Sequence, residues 1–177
     1  MRIATDEMDE MDEPTRGAEV PVSVERVNHV VLWVRDVNRS ADFYSFVLGL
    51  SVIEQHGEEK AFLRSPVSPN HHDLGLFRAE VAGEVTPGSP GMYHTAWQCD
   101  SLSSLVDIRE RLTAVDAFLG GTDHGATKSL YAKDPDGLEF EVMWLTPRET
   151  WVEGRQPFGP LDLEAELRRV EGDGAEN

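Results

Sequence analysis

The sequence predicts an α+β fold of two tandem βαβββ modules followed by a C-terminal helix. Three observations predict it. A strand-then-helix pattern opens near residue 26 and restarts after a stretch rich in glycine and proline. The segment VNHVVLW, followed by an aspartate and a helix, matches MYHTAWQ, followed by an aspartate and a helix. The histidines inside these segments, His29 and His94, stand 65 residues apart, and a fixed period of that kind is how stacked supersecondary units read in sequence.

Each element can be justified in order. Residues 26–34 (RVNHVVLWV) are rich in β-branched side chains and bounded by charges, which predicts a buried strand. Asp36 or Asn38 can cap the helix that follows; in it Phe43, Phe46, Val47 and Leu50 fall at i, i+3, i+4 and i+7, and Gly49 supplies the stop. Strands are expected at about 50–55 and 60–64, separated by the His56-Gly57 turn, and at about 72–79. Residues 81–91 carry three glycines and two prolines in eleven positions, which is linker chemistry. The pattern then restarts. Residues 92–99 read as a strand, Asp100 or Ser101 caps a helix with Leu105, Ile108, Leu112 and Val115 on one face, and Gly120-Gly121 ends the connection after it. Residues 127–133 and 138–145 are strands joined by the turn Asp134-Pro135-Asp136-Gly137. Pro160 precedes Leu163, Leu167 and Val170 at helical spacing, which predicts a C-terminal helix packed on the outside. The expected organisation is a disordered acidic tail over 1–21, one domain over 22–148 with module one at 24–80 and module two at 91–146, and an extension with a helix over 149–177.

Composition narrows the function classes. Within 177 residues, 40% are hydrophobic and 28% charged, ordinary values for one globular domain. The first 25 residues hold eight acids against Arg2 and Arg16 with almost no apolar periodicity, the mark of a solvated tail. A formal charge of −17 argues against nucleic acid and anionic membrane as partners. No run is apolar enough to span a bilayer and no basic-then-apolar leader is present, so a cytoplasmic protein is expected. Cys99 is the only cysteine, which excludes an internal disulfide, a thiolate zinc knot and a CxxC redox pair. Any metal must be held by histidine and carboxylate.

His29 and His94 sit among Val, Leu, Ala and Trp, where an unpaired imidazole is costly to bury. Either alone reads as a hydrogen-bonded core histidine, but two equivalent ones on related modules read as ligands converging at the module interface. Glu141, in the alternation Glu139-Phe140-Glu141-Val142, is the third candidate, because a carboxylate in an apolar strand calls for a cation. Two imidazoles and one carboxylate with open positions form the facial triad of non-haem Fe(II) oxygenases, and the same set serves zinc hydrolases. Ligand identity alone leaves the reaction open.

Five segments, NHVVLWVRDVNRSADFYSFVLGL, NHHDLGLF, YHTAW, DHG and SLYAKDPDGLEFEV, occur in this order over about residues 26–144. Together they resemble the vicinal oxygen chelate superfamily and, within it, the catechol extradiol dioxygenases. The resemblance implies curved mixed sheets that form a metal-containing cleft, with His29, His94 and Glu141 on the metal and His72, His124 and Tyr131 around it. It implies Fe(II), with Mn(II) or another divalent metal as the alternative, and a small aromatic diol and O2 as substrates, both oxygen atoms entering the ring-opened product. His72 would then move protons beside the bound oxygen, a task suited to imidazole, and Tyr131 would hydrogen-bond a substrate oxygen. Read without the resemblance, His72 is a surface strand histidine, His124 a solvated loop residue and Tyr131 a core tyrosine. His71 and His56 read as solvent-facing, Tyr44 as packed on its helix, and Trp33, Trp97 and Trp144 as core or as pocket walls. Many larger ring-cleaving enzymes have two pairs of modules where this chain has one, so a pocket more open, or completed by a neighbouring subunit in a homo-oligomer, is expected.

Two other functions compete. Glyoxalase-like isomerases, lyases and thiol transferases commonly draw a further carboxylate from the last strand of the first module. Here that strand reads HHDLGLFRAE, with Asp73 facing away from His72 and Glu80 at the far end, so the inward acid is missing. A drug-sequestering resistance protein needs a groove and no set of six metal-site residues.

Overall fold

The computed structural model describes residues 23–81, 83, 88, 90–152 and 158–174; the expected tail over 1–21 lies outside them. In the first module, β1 (Val30–Val34) leads into α1 (Val37–Leu48), then β2 (Ser51–His56), β3 (Lys60–Arg64) and β4 (Leu74–Arg78). The second repeats it with β5 (Thr95–Cys99), α2 (Leu102–Ala114), β6 (Phe118–Asp123), β7 (Thr127–Lys133) and β8 (Glu139–Leu145). A short β9 (Gly159–Pro160) and α3 (Leu163–Gly174) follow. The sheets run β1-β4-β3-β2 and β5-β8-β7-β6-β9, so each module pairs its first and last strands in parallel and leaves its first strand at an edge. The fold is the expected mixed α+β pair of βαβββ modules.

Local chemistry explains the boundaries. Asp36 caps α1 by accepting from Arg39 N at 3.0 Å, and Gly49 closes it in the left-handed region at φ 69°, where a Cβ is penalised. Ser101 caps α2 by accepting from Ser104 N. In the DPDG turn, Asp134 accepts from the backbone N–H groups of Asp136 (2.9 Å) and Leu138 (2.8 Å), and Gly137 takes φ 85°.

Some expectations shift. The first strand of each module starts late, at Val30 and Thr95, where pairing with its parallel partner begins at Leu74 and Phe140. His29, His94 and His72 therefore precede their strands instead of lying inside them, and His29 is exposed. The Gly120-Gly121 pair does not end a connection but runs through β6. A Cβ on Gly121 would lie 3.2 Å from Leu161 Cβ and 3.3 Å from Ser129 O, so this glycine marks a close approach and not a loop. Phe46, expected on the core face of α1, is 49% exposed, and Val115, expected on the face of α2, falls just past its end and is likewise exposed. The buried stripe of α1 is Val37, Ser40, Ala41, Tyr44 and Val47.

That rotation of α1 lets it join the modules. Its Tyr44 hydroxyl donates to Asp134 at 3.1 Å, Phe43 and Tyr44 pack their rings on Phe140, and Arg39 and Arg35 both reach Asp136. Leu32 and Val34 of β1 share a core with α1, while Phe140 and Val142 of β8 share a second core with α2 and with Val47 of α1. The helices thus cover one face of each sheet, and the alternating side chains of β1 and β8 put Val31, Trp33 and Glu141 on the other faces. Beyond β8, α3 is held by Arg109–Glu164 (3.3 Å) and by the nearly buried Lys128, which contacts Asp123 (2.7 Å) and Glu166 (3.8 Å). Among the described residues no helix is long and apolar enough to cross a membrane.

Candidate functional site

The helix-free face of the second sheet carries most of the expected site. Glu141 on β8 and Tyr131 on β7 are direct register partners, which is why ten residues separate them across the DPDG turn. His94, one residue before β5, brings Nε2 to 3.2 Å from Glu141 Oε2, with both side chains largely buried. His124, one residue after β6, shares a 3.0 Å hydrogen bond between Nε2 and the Tyr131 hydroxyl. The Tyr131 ring also lies 5.9 Å from that of His94. Burial, and then the charge of Glu141, push the Tyr131 hydroxyl above its ordinary pKa, so it keeps its proton and can donate.

The other two expected residues meet on the first module. The rings of His29 and His72 are 4.5 Å apart, His72 packs edge-on to Phe62 at 5.0 Å, and His71 Nδ1 is 3.1 Å from His72 Nδ1. Burial, and then the neighbouring His29 and His71, lower the pKa of His72. Trp33 and Phe62 each pack against Phe77, which continues an aromatic surface from the two histidines; Trp33 is 66% exposed. Trp144 packs instead against the second core, and Trp97 against both cores. His56 is exposed and pairs with Glu54, as a turn histidine would.

The six residues therefore form two groups: His94, Glu141, Tyr131 and His124 on one module, His29 and His72 on the other. Among the described residues no three His, Cys, Asp or Glu side chains stand close enough to hold a metal ion. The second module nevertheless has the features of a partial site. His94 and Glu141 are a nitrogen and an oxygen donor side by side, and His94 Nδ1 is buried with no hydrogen-bond partner, a costly state for an imidazole.

The repeat adds a relation that inspection of the sequence missed. Glu141 pairs with Ala96, two residues past His94; in the first module the residue paired with Val31, two past His29, is Gly75. The position equivalent to Glu141 has no side chain. Nearby Asp73 is not free to replace it, because it accepts from Ser65 N, Ser68 Oγ and Asn70 Nδ2 at 2.6 to 2.8 Å. Burial opposes ionisation of Asp73, but these bonds outweigh it and hold the carboxyl below its ordinary pKa. Phe158 was also missed: it lies in the C-terminal extension with its ring 5.3 Å from that of His124.

Comparison with known proteins bears on the family and the fold. The chain is 37% identical over 118 residues to biphenyl-2,3-diol 1,2-dioxygenase 2 of Rhodococcus globerulus, covering 64% of this chain and 60% of that protein. It is 31% identical over 132 residues to biphenyl-2,3-diol 1,2-dioxygenase 3 of the same organism, covering 71% and 67%. This chain thus spans less than two thirds of the first relative. A glyoxylase/bleomycin resistance protein/dioxygenase domain from Frankia sp. EAN1pec superposes with a TM-score of 0.58 at 23% identity, covering 70% of this chain and all of that one, which supports the fold. The stretch containing the repeated strands, both strand-one histidines and Glu141, residues 26–142, matches a family model, and the chain belongs to the Glyoxalase/Bleomycin resistance protein/Dioxygenase superfamily.

Proposed function

We propose that this protein is an Fe(II)-dependent extradiol dioxygenase that opens the ring of a catechol-type diol with O2. The observation carrying the reading is the donor set on the two helix-free faces: His94 and Glu141 on one, His29 on the other, and Gly75 where a fourth ligand would stand. Two imidazoles and one carboxylate leave positions open for a two-oxygen substrate and O2. A site that draws a second carboxylate from the first module has none to draw on, since Gly75 offers no donor and Asp73 is already occupied. Bound there, iron would hold the diol beside O2 and allow electrons to pass between them. Tyr131, positioned by His124, donates to a diol oxygen, and His72 carries the proton that leaves or returns during the reaction.

Within one chain the first-module donors do not reach the second-module pair, so the reading includes a homo-oligomer. Module one of a second copy lies over module two of the first, bringing its His29 to His94 and Glu141. That contact would also cover Val31 and Trp33, exposed apolar side chains on an edge strand, and set their aromatic surface against the substrate ring. The test is anaerobic reconstitution with Fe(II) followed by a panel of catechols. Retained iron and a yellow ring-opened product are expected. Retained iron with no ring opening would overturn the dioxygenase reading, and failure to retain any divalent metal would overturn the metal site itself.

A further inference from the structure

The C-terminal extension reaches the candidate site. β9 pairs antiparallel with β6 through Thr122↔Pro160 and Asp123↔Gly159, and the next position of that register sets Phe158 opposite His124. Residues directly opposite on antiparallel strands point to the same face, and the rings of Phe158 and His124 are indeed 5.3 Å apart. Phe158 therefore ends a row that crosses the helix-free face from Glu141 through Tyr131 and His124. The extension is anchored on the C-terminal side of this contact. Leu161 N donates to Gly121 O at 3.2 Å, Leu161 packs on Gly121, and Lys128 and Arg109 hold the first turns of α3. Yet Phe158 itself is 78% exposed. A large apolar ring exposed to water beside a hydrogen-bonded His–Tyr pair is suited to receive another apolar group.

We propose that Phe158 is a specificity-determining residue whose ring forms the wall on which the aromatic ring of the diol packs beside His124. The inference rests on the diol-binding reading above, and it concerns a residue outside the family match of residues 26–142. The substrate class it favours is a flat aromatic diol, with its oxygens toward Glu141 and Tyr131 and its carbon edge toward Phe158.

The test uses the full chain loaded with Fe(II) under anaerobic conditions and titrated with 4-nitrocatechol, whose absorbance shifts on binding. Phe158→Ala should weaken binding about 5- to 10-fold, the scale of one lost aromatic pair, with iron per chain unchanged. Phe158→Tyr, which keeps the ring, should restore it to within about 2-fold of wild type by the same reasoning. Phe158→Ala binding as tightly as wild type would overturn the wall while leaving the dioxygenase reading intact. Loss of iron in Phe158→Ala would also overturn it, since the residue would then act on the metal site. If the wild-type protein holds iron but does not take up 4-nitrocatechol, the diol reading fails and the ligand assigned to Phe158 fails with it.

Discussion

Gly75 stands in the first module where Glu141 stands in the second, each paired in parallel with the residue two positions past a strand-one histidine. The asymmetry makes opposite demands on the two sites. Glu141→Gln keeps the shape of the side chain and removes its charge, so iron per chain should fall at least about tenfold, as for loss of a group that supports a metal. Gly75→Ala should leave iron untouched but lower stability by about 1 kcal/mol, because its Cβ would lie 3.2 Å from Val31 Cγ2 in a packed sheet. Metal analysis and thermal unfolding of the two variants separate these effects.

His72 separates ring cleavage from simple metal binding. It lies against His29 without being one of the three expected ligands, so His72→Phe should keep its iron and still bind catechol. Turnover should fall by ~10² to 10⁴, the contribution of a positioned acid–base group. His71, its exposed neighbour at 3.1 Å, is the comparison, and His71→Phe should lower turnover much less than His72→Phe. Wild-type turnover in His72→Phe would remove the proton-carrying role.

Much of this was legible because two periodicities survive in the sequence. The 65-residue repeat gives the module count and pairs His29 with His94, and strand alternation puts Glu141 and Phe140 on opposite faces. What stayed hidden depends on long-range packing. Nothing local in Phe43, Phe46, Val47 and Leu50 says that α1 turns Tyr44 toward Asp134, 90 residues on, and exposes Phe46. Gly120-Gly121 reads as a break until Leu161 is seen against it. Phe158 has no periodic partner, and only the β6–β9 register brings it to His124.

The Tyr44–Asp134 bond should be measurable as a tie between modules. Tyr44 is buried, and burial together with Asp134 pushes its hydroxyl far above the ordinary pKa, so it remains a donor. Tyr44→Phe retains the ring packing on Phe140 and deletes the donor, leaving Asp134 with its two turn amides. A loss of about 1 to 2 kcal/mol is expected from the denaturant midpoint. An unchanged midpoint would mean that water replaces the hydroxyl and the tie is weak.

Cys99 should be chemically quiet. Burial pushes its thiol up to about 11, and Sγ donates toward Ser101 O (3.3 Å) and Met143 O (3.4 Å). The thiolate fraction then rises only as pH approaches that value, and at pH 8 it is ~10⁻³. Iodoacetamide labelling of the native protein at pH 8 should be about 100-fold slower than that of free cysteine, and should recover on unfolding. Rapid native labelling would show that the α2–β5 packing opens readily.

The proposed sharing of the site between two copies makes a prediction of its own. If one chain supplies His29 and the other His94 and Glu141, a dimer of His29→Ala chains lacks a ligand in every site, and so does a dimer of Glu141→Ala chains. Refolding or co-expressing the two variants together gives random pairs. A site is intact only when its first module comes from a Glu141→Ala chain and its second from a His29→Ala chain, each with a chance of one half. About a quarter of all sites should therefore recover iron and ring opening, a consequence of two-fold exchange alone. Neither variant alone should exceed background. If the mixture also stays at background while wild type binds iron, the three donors do not form a site shared between copies; an iron-binding wild type that elutes as a monomer would exclude the shared site directly.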